Sequence, residues 1–169
     1  MRYGYTVPPR SKRAIFDLAA TVRQAFAPML GHRGFLPIDR VYEVMHKMLP
    51  RFEFEVCDRS EMGDDHGQTF PNTRLIKLRE DVYTGMCTGV GRDRFTAAHE
   101  LGHLFMHSGV KFSRADPSAK PYLNSEWQAD NFASALLIDE KRLDECTSIE
   151  DVQIAFGVSH HAAMVRFKK

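Results

Sequence analysis

The hydrophobic positions of this 169-residue chain fall into stretches of helical period followed by stretches of strand period. Behind a plausible cap at Ser11, residues Ile15, Leu18, Val22, Phe26 and Met29 recur at amphipathic-helix spacing, with Pro28 near the end of the run. Val41, Val44, Met45, Met48 and Leu49 repeat the helical pattern until Pro50 closes it. The period then becomes two. Phe52, Phe54 and Val56 alternate with Glu53, Glu55 and Cys57, and Leu75-Ile76-Lys77-Leu78-Arg79 reads as another strand. Between them Gly63-Asp64-Asp65-His66-Gly67 and Pro71-Asn72 are turn material, and residues 68–70 add a third strand to a small sheet.

Downstream, Gly89-Val90-Gly91-Arg92-Asp93 reads as a loop leading into a helix that carries His99 and His103 and stops around Ser108-Gly109. Residues 110–123 hold two prolines and little periodicity, the pattern of a surface loop. Ser125 and Gln128 have capping-box spacing ahead of a helix with Trp127, Phe132, Ala135, Leu136 and Ile138 on its apolar side. Two short helices close the chain, one over about 149–156 behind Ser148 and one from His160 onward, behind Gly157-Val158-Ser159. The expected class is α+β, mostly helical, as one domain over 1–169: an N-terminal helix region 1–35, a core 36–138 and a helical hairpin 139–169 with a helix-turn-helix-like look.

Composition narrows the functional classes. Lys and Arg number 23 against 22 Asp and Glu, so no overall positive field draws the chain to nucleic acid, and direct binding to it is not expected. The terminal hairpin does carry His160, His161, Arg166, Lys168 and Lys169, yet a two-helix unit that merely covers the core has the same appearance. Cys57, Cys87 and Cys146 are odd in number and far apart, which argues against disulfides and thiolate zinc knuckles and for a reducing, cytoplasmic setting. Cys87 reads as a buried small residue. No apolar run suits a signal peptide or a membrane span.

The chemistry concentrates in His99-Glu100-Leu101-Gly102-His103. Residues four apart project from one helix face, so both imidazoles can reach one Zn2+ ion, while Glu100, offset by one, can reach a water beside it. A catalytic zinc needs a third protein ligand and an open position. His107 lies about 12 Å along the helix axis from His99, too far to share its metal. Glu126 opens the next helix and Asp130 follows one turn later, which suits a ligand plus a carboxylate that receives the free N–H of a zinc-bound imidazole. Ordinary readings compete: two satisfied core histidines, and a glutamate stabilised at a helix start.

The strings Arg94-Phe95-Thr96-Ala97-Ala98-His99-Glu100-Leu101-Gly102-His103-Leu104-Phe105-Met106-His107 and Glu126-Trp127-Gln128-Ala129-Asp130-Asn131-Phe132-Ala133, followed by Leu136-Leu137, resemble the ImmA/IrrE family of bacterial and phage metallopeptidases. The likeness extends more weakly from about Val41 to the C-terminus, and the first 35 residues add little. It implies a zincin-like fold of gluzincin type, with His99, His103 and Glu126 as zinc ligands, Glu100 as the catalytic base, and 36–138 as the catalytic core. It matches His107 too, whose role stays open between support and helix capping. The chain departs from the family in having Ile138-Asp139 where a Met-Pro pair is common.

The implied substrate is a protein, a helix-turn-helix transcriptional repressor or antitoxin-like regulator of a phage, mobile element or stress regulon. The strand at Leu75-Ile76-Lys77-Leu78 is expected to offer an edge to an extended substrate. Tyr122 and His107 are weak candidates for a second oxyanion donor. The rival reading is a DNA-binding or zinc-sensing regulator without protease activity. A catalytic acid–base residue beside the first histidine argues against a purely structural zinc site.

Overall fold

The computed structural model describes residues 4–30, 35–110, 113–114 and 120–167. In chain order the elements are β1 (Tyr5–Thr6), α1 (Lys12–Leu30), α2 (Ile38–Met48), β2 (Glu53–Cys57), α3 (Arg59–Met62), β3 (Gly67–Phe70), β4 (Leu75–Arg79), α4 (Glu80–Cys87), α5 (Gly91–Met106), β5 (Ser113–Arg114), a 3-10 turn (Pro121–Leu123), α6 (Ser125–Leu137), α7 (Glu140–Leu143), α8 (Ile149–Phe156) and α9 (His160–Phe167). The fold is mostly helical with a small three-stranded sheet. No helix among the described residues is long and apolar enough to cross a membrane.

Helix α1 buries Ile15, Val22 and Phe26 of the predicted stripe, with Ala19 beside them and Leu18 and Met29 half-buried, and packs on α6. Arg23 ties the two together by donating from Nε to the Leu136 carbonyl at 3.0 Å, while its Nη1 lies 3.4 Å from Asp139. A guanidinium there satisfies carbonyls that the end of α6 leaves without helical partners. Ile138-Asp139 thus forms an anchored exit from α6, and Asp139 also caps α7 by accepting from Lys141 N at 3.1 Å.

The sheet has the order β2-β4-β3, with β2 parallel and β3 antiparallel to β4. Ile76 and Leu78 of β4 are fully buried, as befits a central strand. The expected edge is therefore not β4. Both its sides are paired, and the edge on the α5 side belongs to β3.

Several other expectations change. Helix α5 begins at Gly91, inside the segment read as a loop. Residues 110–123 contain β5, which pairs antiparallel with β1, and the 3-10 turn. Helix α4 escaped the pattern because its apolar positions Val82, Tyr83 and Met86 span barely one turn and no capping side chain precedes it. Its start is marked by Asp81, which accepts from Val82 N at 3.0 Å and from Arg79 Nε at 2.7 Å. Cys87, at the end of α4, is exposed instead of buried.

Helix α8 starts in a capping box between Ser148 and Asp151 and ends at Gly157, whose φ of 59° lies in the left-handed region that glycine enters without steric cost. The α8–α9 pair is held by Arg94, 1% exposed, which donates to the carbonyls of Phe156 (2.9 Å), Gly157 and Leu36 (2.6 Å). Burial pushes this guanidinium down to about 10. Lys168 and Lys169 lie outside the described residues.

Candidate metal centre

The centre is built where α5 crosses α6, and the closeness of that crossing comes from Gly102. A Cβ at this position would stand 3.1 Å from Ala129 Cα and 3.2 Å from the Ala129 carbonyl oxygen. Even an alanine here would require the Ala129 backbone to give by a few tenths of an ångström. The crossing brings His99, His103 and Glu126 together, so that one ligand atom from each lies within 4.8 Å of the others. The two Nε2 atoms are 3.0 Å apart, and the Glu126 oxygens stand 3.3 Å from His99 Nε2 and 3.4 Å from His103 Nε2. Two imidazole nitrogens and a carboxylate converging in this way could hold a metal ion.

Each imidazole is fixed from behind. Asp130 Oδ1 lies 2.8 Å from His99 Nδ1, so His99 donates from Nδ1 and turns Nε2 towards Glu126. For His103 the support is a buried chain. Gln128 Nε2 donates to the carbonyls of Pro8 (2.9 Å) and Tyr122 (2.8 Å), which leaves its Oε1 to accept from His107 Nε2 at 3.2 Å. Burial and the neighbouring His103 push His107 down to about 4, so near neutral pH it carries one proton. With that proton on Nε2, His107 Nδ1 accepts, and the donor across the 3.0 Å contact is His103 Nδ1. The network therefore leaves a lone pair on His103 Nε2, as a metal ligand requires.

Burial opposes charge on His99, but its hydrogen bonds to Asp130 and Glu126 outweigh that and raise it to about 10. Burial likewise acts to raise Glu126, and the two facing imidazoles of His103 and His99 more than reverse it, holding the carboxyl well below the usual carboxylate range. His99 and Glu126 thus hold each other as an imidazolium–carboxylate pair, and a cation binding here exchanges with the His99 Nε2 proton.

Glu100 points the other way from Asp130, towards β3. It is 1% exposed, and Thr69 Oγ1 donates to its Oε2 at 2.6 Å. At Gly67 a Cβ would meet Glu100 Cγ at 2.7 Å, so only glycine lets the strand lie this close. Glu100, His103 and Glu126 open on a cleft of 730 Å³ walled by Tyr5 and the segment from Gly67 to Thr73.

Sequence reasoning missed Thr69, Gly67, Gln128 and Tyr5. The first two sit more than thirty positions from Glu100, and no spacing rule links them to it. Gln128 was read as the far half of a capping box at Ser125, whereas the cap of α6 is Asn124, which accepts from Glu126 N (2.8 Å) and Trp127 N (3.2 Å). Ser125 is buried and accepts from Tyr5 N at 2.9 Å, which lays β1 along the start of α6. Tyr122 does not line the cleft; it is 39% exposed, with the Lys120 ammonium 5.9 Å from its ring.

The family model described as Peptidase_M78, IrrE N-terminal-like domain, matches residues 58–168, which include the whole centre. Metallopeptidase ImmA of Bacillus subtilis (strain 168) is 28% identical over 96 residues, or 54% of this chain and 57% of its own. A Mycobacterium tuberculosis transcriptional regulator of known structure aligns over 92% of this chain and 47% of that one, with TM-score 0.58 and 16% identity, a likeness of fold alone. The chain spans about half the length of these relatives.

Proposed function

Because this chain belongs to the Peptidase_M78 family of IrrE N-terminal-like domains, we propose that it is a zinc-dependent endopeptidase acting in the cytoplasm on a specific protein, a transcriptional repressor or antitoxin-like regulator. One observation carries the proposal: two imidazoles and a carboxylate converge beside a buried glutamate at the floor of an open cleft. The separations of 3.0, 3.3 and 3.4 Å suit zinc. Bonds of about 2.0–2.1 Å in tetrahedral geometry require ligand atoms about 3.3 Å apart. A hard oxygen-seeking ion such as Mg2+ or Ca2+ would not choose two nitrogens.

When bound, zinc supplies Lewis acidity at the scissile carbonyl and makes water acidic enough to ionise near neutral pH. His99, His103 and Glu126 are the proposed ligands. Asp130 and the His107–Gln128 chain keep the two imidazoles in the tautomer that binds metal. Glu100, oriented by Thr69, takes the proton from the attacking water and delivers it to the leaving amine as the peptide bond breaks. Among the described residues β3 is an outer strand of its sheet and forms the cleft wall, where it can receive an extended substrate by backbone hydrogen bonding, with specificity left to side-chain pockets.

The test compares zinc-loaded wild type with Glu100→Gln on a helix-turn-helix repressor encoded beside this chain and on unfolded casein. Wild type is expected to cut the repressor at one or a few sites. Glu100→Gln is expected to keep its metal and lose on the order of a hundredfold or more in rate. Hydrolysis by Glu100→Gln at the wild-type rate removes Glu100 as the base. Rapid cutting of casein at many sites, with the repressor untouched, removes the narrow substrate.

A further inference from the structure

A second concavity, of 750 Å³, lies between α1, α5, α6 and α9 and shares no lining residue with the cleft. Its wall includes Asp130, the residue bonded to His99, so it adjoins the metal centre through that side chain. The charge of the two hollows is opposite. The cleft presents Asp65, Glu100 and Glu126, whereas the groove presents Lys12, Arg92 and Arg166, with His161 beside them. Asp130 is the groove's own carboxylate, and His99 already engages it.

The cations of the groove are held together without an anion between them. The Lys12 ammonium lies 5.4 Å and the Arg166 guanidinium 4.5 Å from the centre of the same Phe16 ring. Among the described residues neither they nor Arg92 form an ion pair with a carboxylate, and Arg166 Nε is buried with no hydrogen-bond partner. Arg92 Nη2 donates to His66 Nε2 at 3.0 Å, and Glu140, the acid whose field reaches Arg166, lies 3.7 Å from Arg13. Like charges gathered in a concave wall focus a positive potential that an anion relieves. The rest of the lining is mixed: Phe95, Ala162 and Val165, the last 56% exposed, are apolar, and Thr96, Asn131, Ser134 and Ser159 add uncharged polar groups.

We propose that this groove binds an acidic, partly apolar segment of the protein substrate, positioning the substrate from a site beside the metal centre. The inference rests on the peptidase reading for the identity of the bound molecule. A peptide fits better than a nucleic acid, because the hollow has the size of a small-ligand pocket, about 300–1,000 Å³. A duplex backbone needs a longer basic track.

The experiment measures binding by fluorescence anisotropy to full-length Glu100→Gln, which isolates binding from cleavage. The probes are a labelled peptide alternating Glu, Asp and Leu, its Lys and Leu counterpart, and a labelled single-stranded oligonucleotide. The acidic peptide is expected to bind on the order of tenfold tighter than the basic one, with affinity falling as salt is raised. Lys12→Glu with Arg166→Glu is expected to abolish that preference, and Lys12→Glu with Arg92→Glu, both at exposed positions, to weaken it with the fold intact. Equal affinity for the two peptides, or a preference untouched by either charge reversal, overturns the proposal. Tighter binding of the oligonucleotide that displaces the acidic peptide overturns it in favour of nucleic acid. If the wild type cleaves no protein while the preference and its loss on reversal persist, the peptidase reading falls and the acidic-peptide groove stands.

Discussion

The two imidazoles of the centre stand one helical turn apart on α5, yet they are held by opposite means. His99 is supported by Asp130, a carboxylate whose side chain is 59% exposed, at the rim of a solvated groove. His103 is supported by His107 and Gln128, which are neutral and fully buried and end on two backbone carbonyls. One support is a charge in water, tolerant of geometry and open to solvent; the other is a chain of neutral dipoles in which each group has one role. A buried neutral chain fixes a tautomer without burying a charge, which would cost several kcal/mol. The exposed carboxylate meets no such penalty.

Removing a proposed ligand breaks the comparison altogether, since neither support matters without its imidazole. Protein purified without chelators is expected to hold about one zinc per chain, and His103→Ala and Glu126→Ala close to none. Elemental analysis decides this, and equal metal in all three proteins would end the ligand assignment. Asp130→Ala tests the exposed support alone. Zinc affinity is expected to fall about ten- to hundredfold, read by competition with a chelator, and the metal-free protein is expected to lose only the pH-dependent stability that comes with protonated His99.

Gln128→Leu tests the buried support and should differ in kind. It strips partners from His107 Nε2 and from the carbonyls of Pro8 and Tyr122, so the metal-free fold is expected to lose about 1–3 kcal/mol alongside zinc affinity. Unchanged stability in urea would mean that water replaces the amide and that the chain does not set the tautomer.

The smallest expected effect is on pH dependence. His107 titrates at 6.5 when unfolded and at about 4 in the fold, so between these values the unfolded chain binds the extra proton and stability falls as the solution is acidified. Near pH 5.5 this amounts to about 1 kcal/mol relative to neutral pH. In His107→Gln that part of the loss should vanish. The difference between wild type and variant isolates it from His99, whose raised value acts in the opposite sense, adding stability below 6.5 that is lost as pH rises towards 10. An identical acid slope in both proteins would contradict a buried neutral His107.

Much of the architecture was legible because helices announce themselves by period and by their ends. The stripe Ile15, Val22 and Phe26, the Ser148 cap and the Gly157 stop all appear where the chain puts them. The two-residue strands β1 and β5 and the short helix α4 were not legible, because a run that short has no period to read. The Ser125 capping pattern misled for a different reason. Asn124 caps equally well, and tertiary contact with Tyr5 claimed the Ser125 hydroxyl.

Local helix geometry is enough to put His99 and His103 on one face with Glu100 turned aside, and to stack Glu126 under Asp130, because those relations depend only on a rise and a rotation per residue. How near Glu126 comes to the imidazoles is not a local property. It depends on Gly102 meeting Ala129 at the helix crossing, just as the setting of Glu100 depends on Thr69 arriving from a strand and the tautomer of His103 on carbonyls from Pro8 and Tyr122. The chain can state which groups are chemically able to act; only packing between distant segments sets the separations at which they do, since hydrogen bonding and metal ligation fail over differences of an ångström or less.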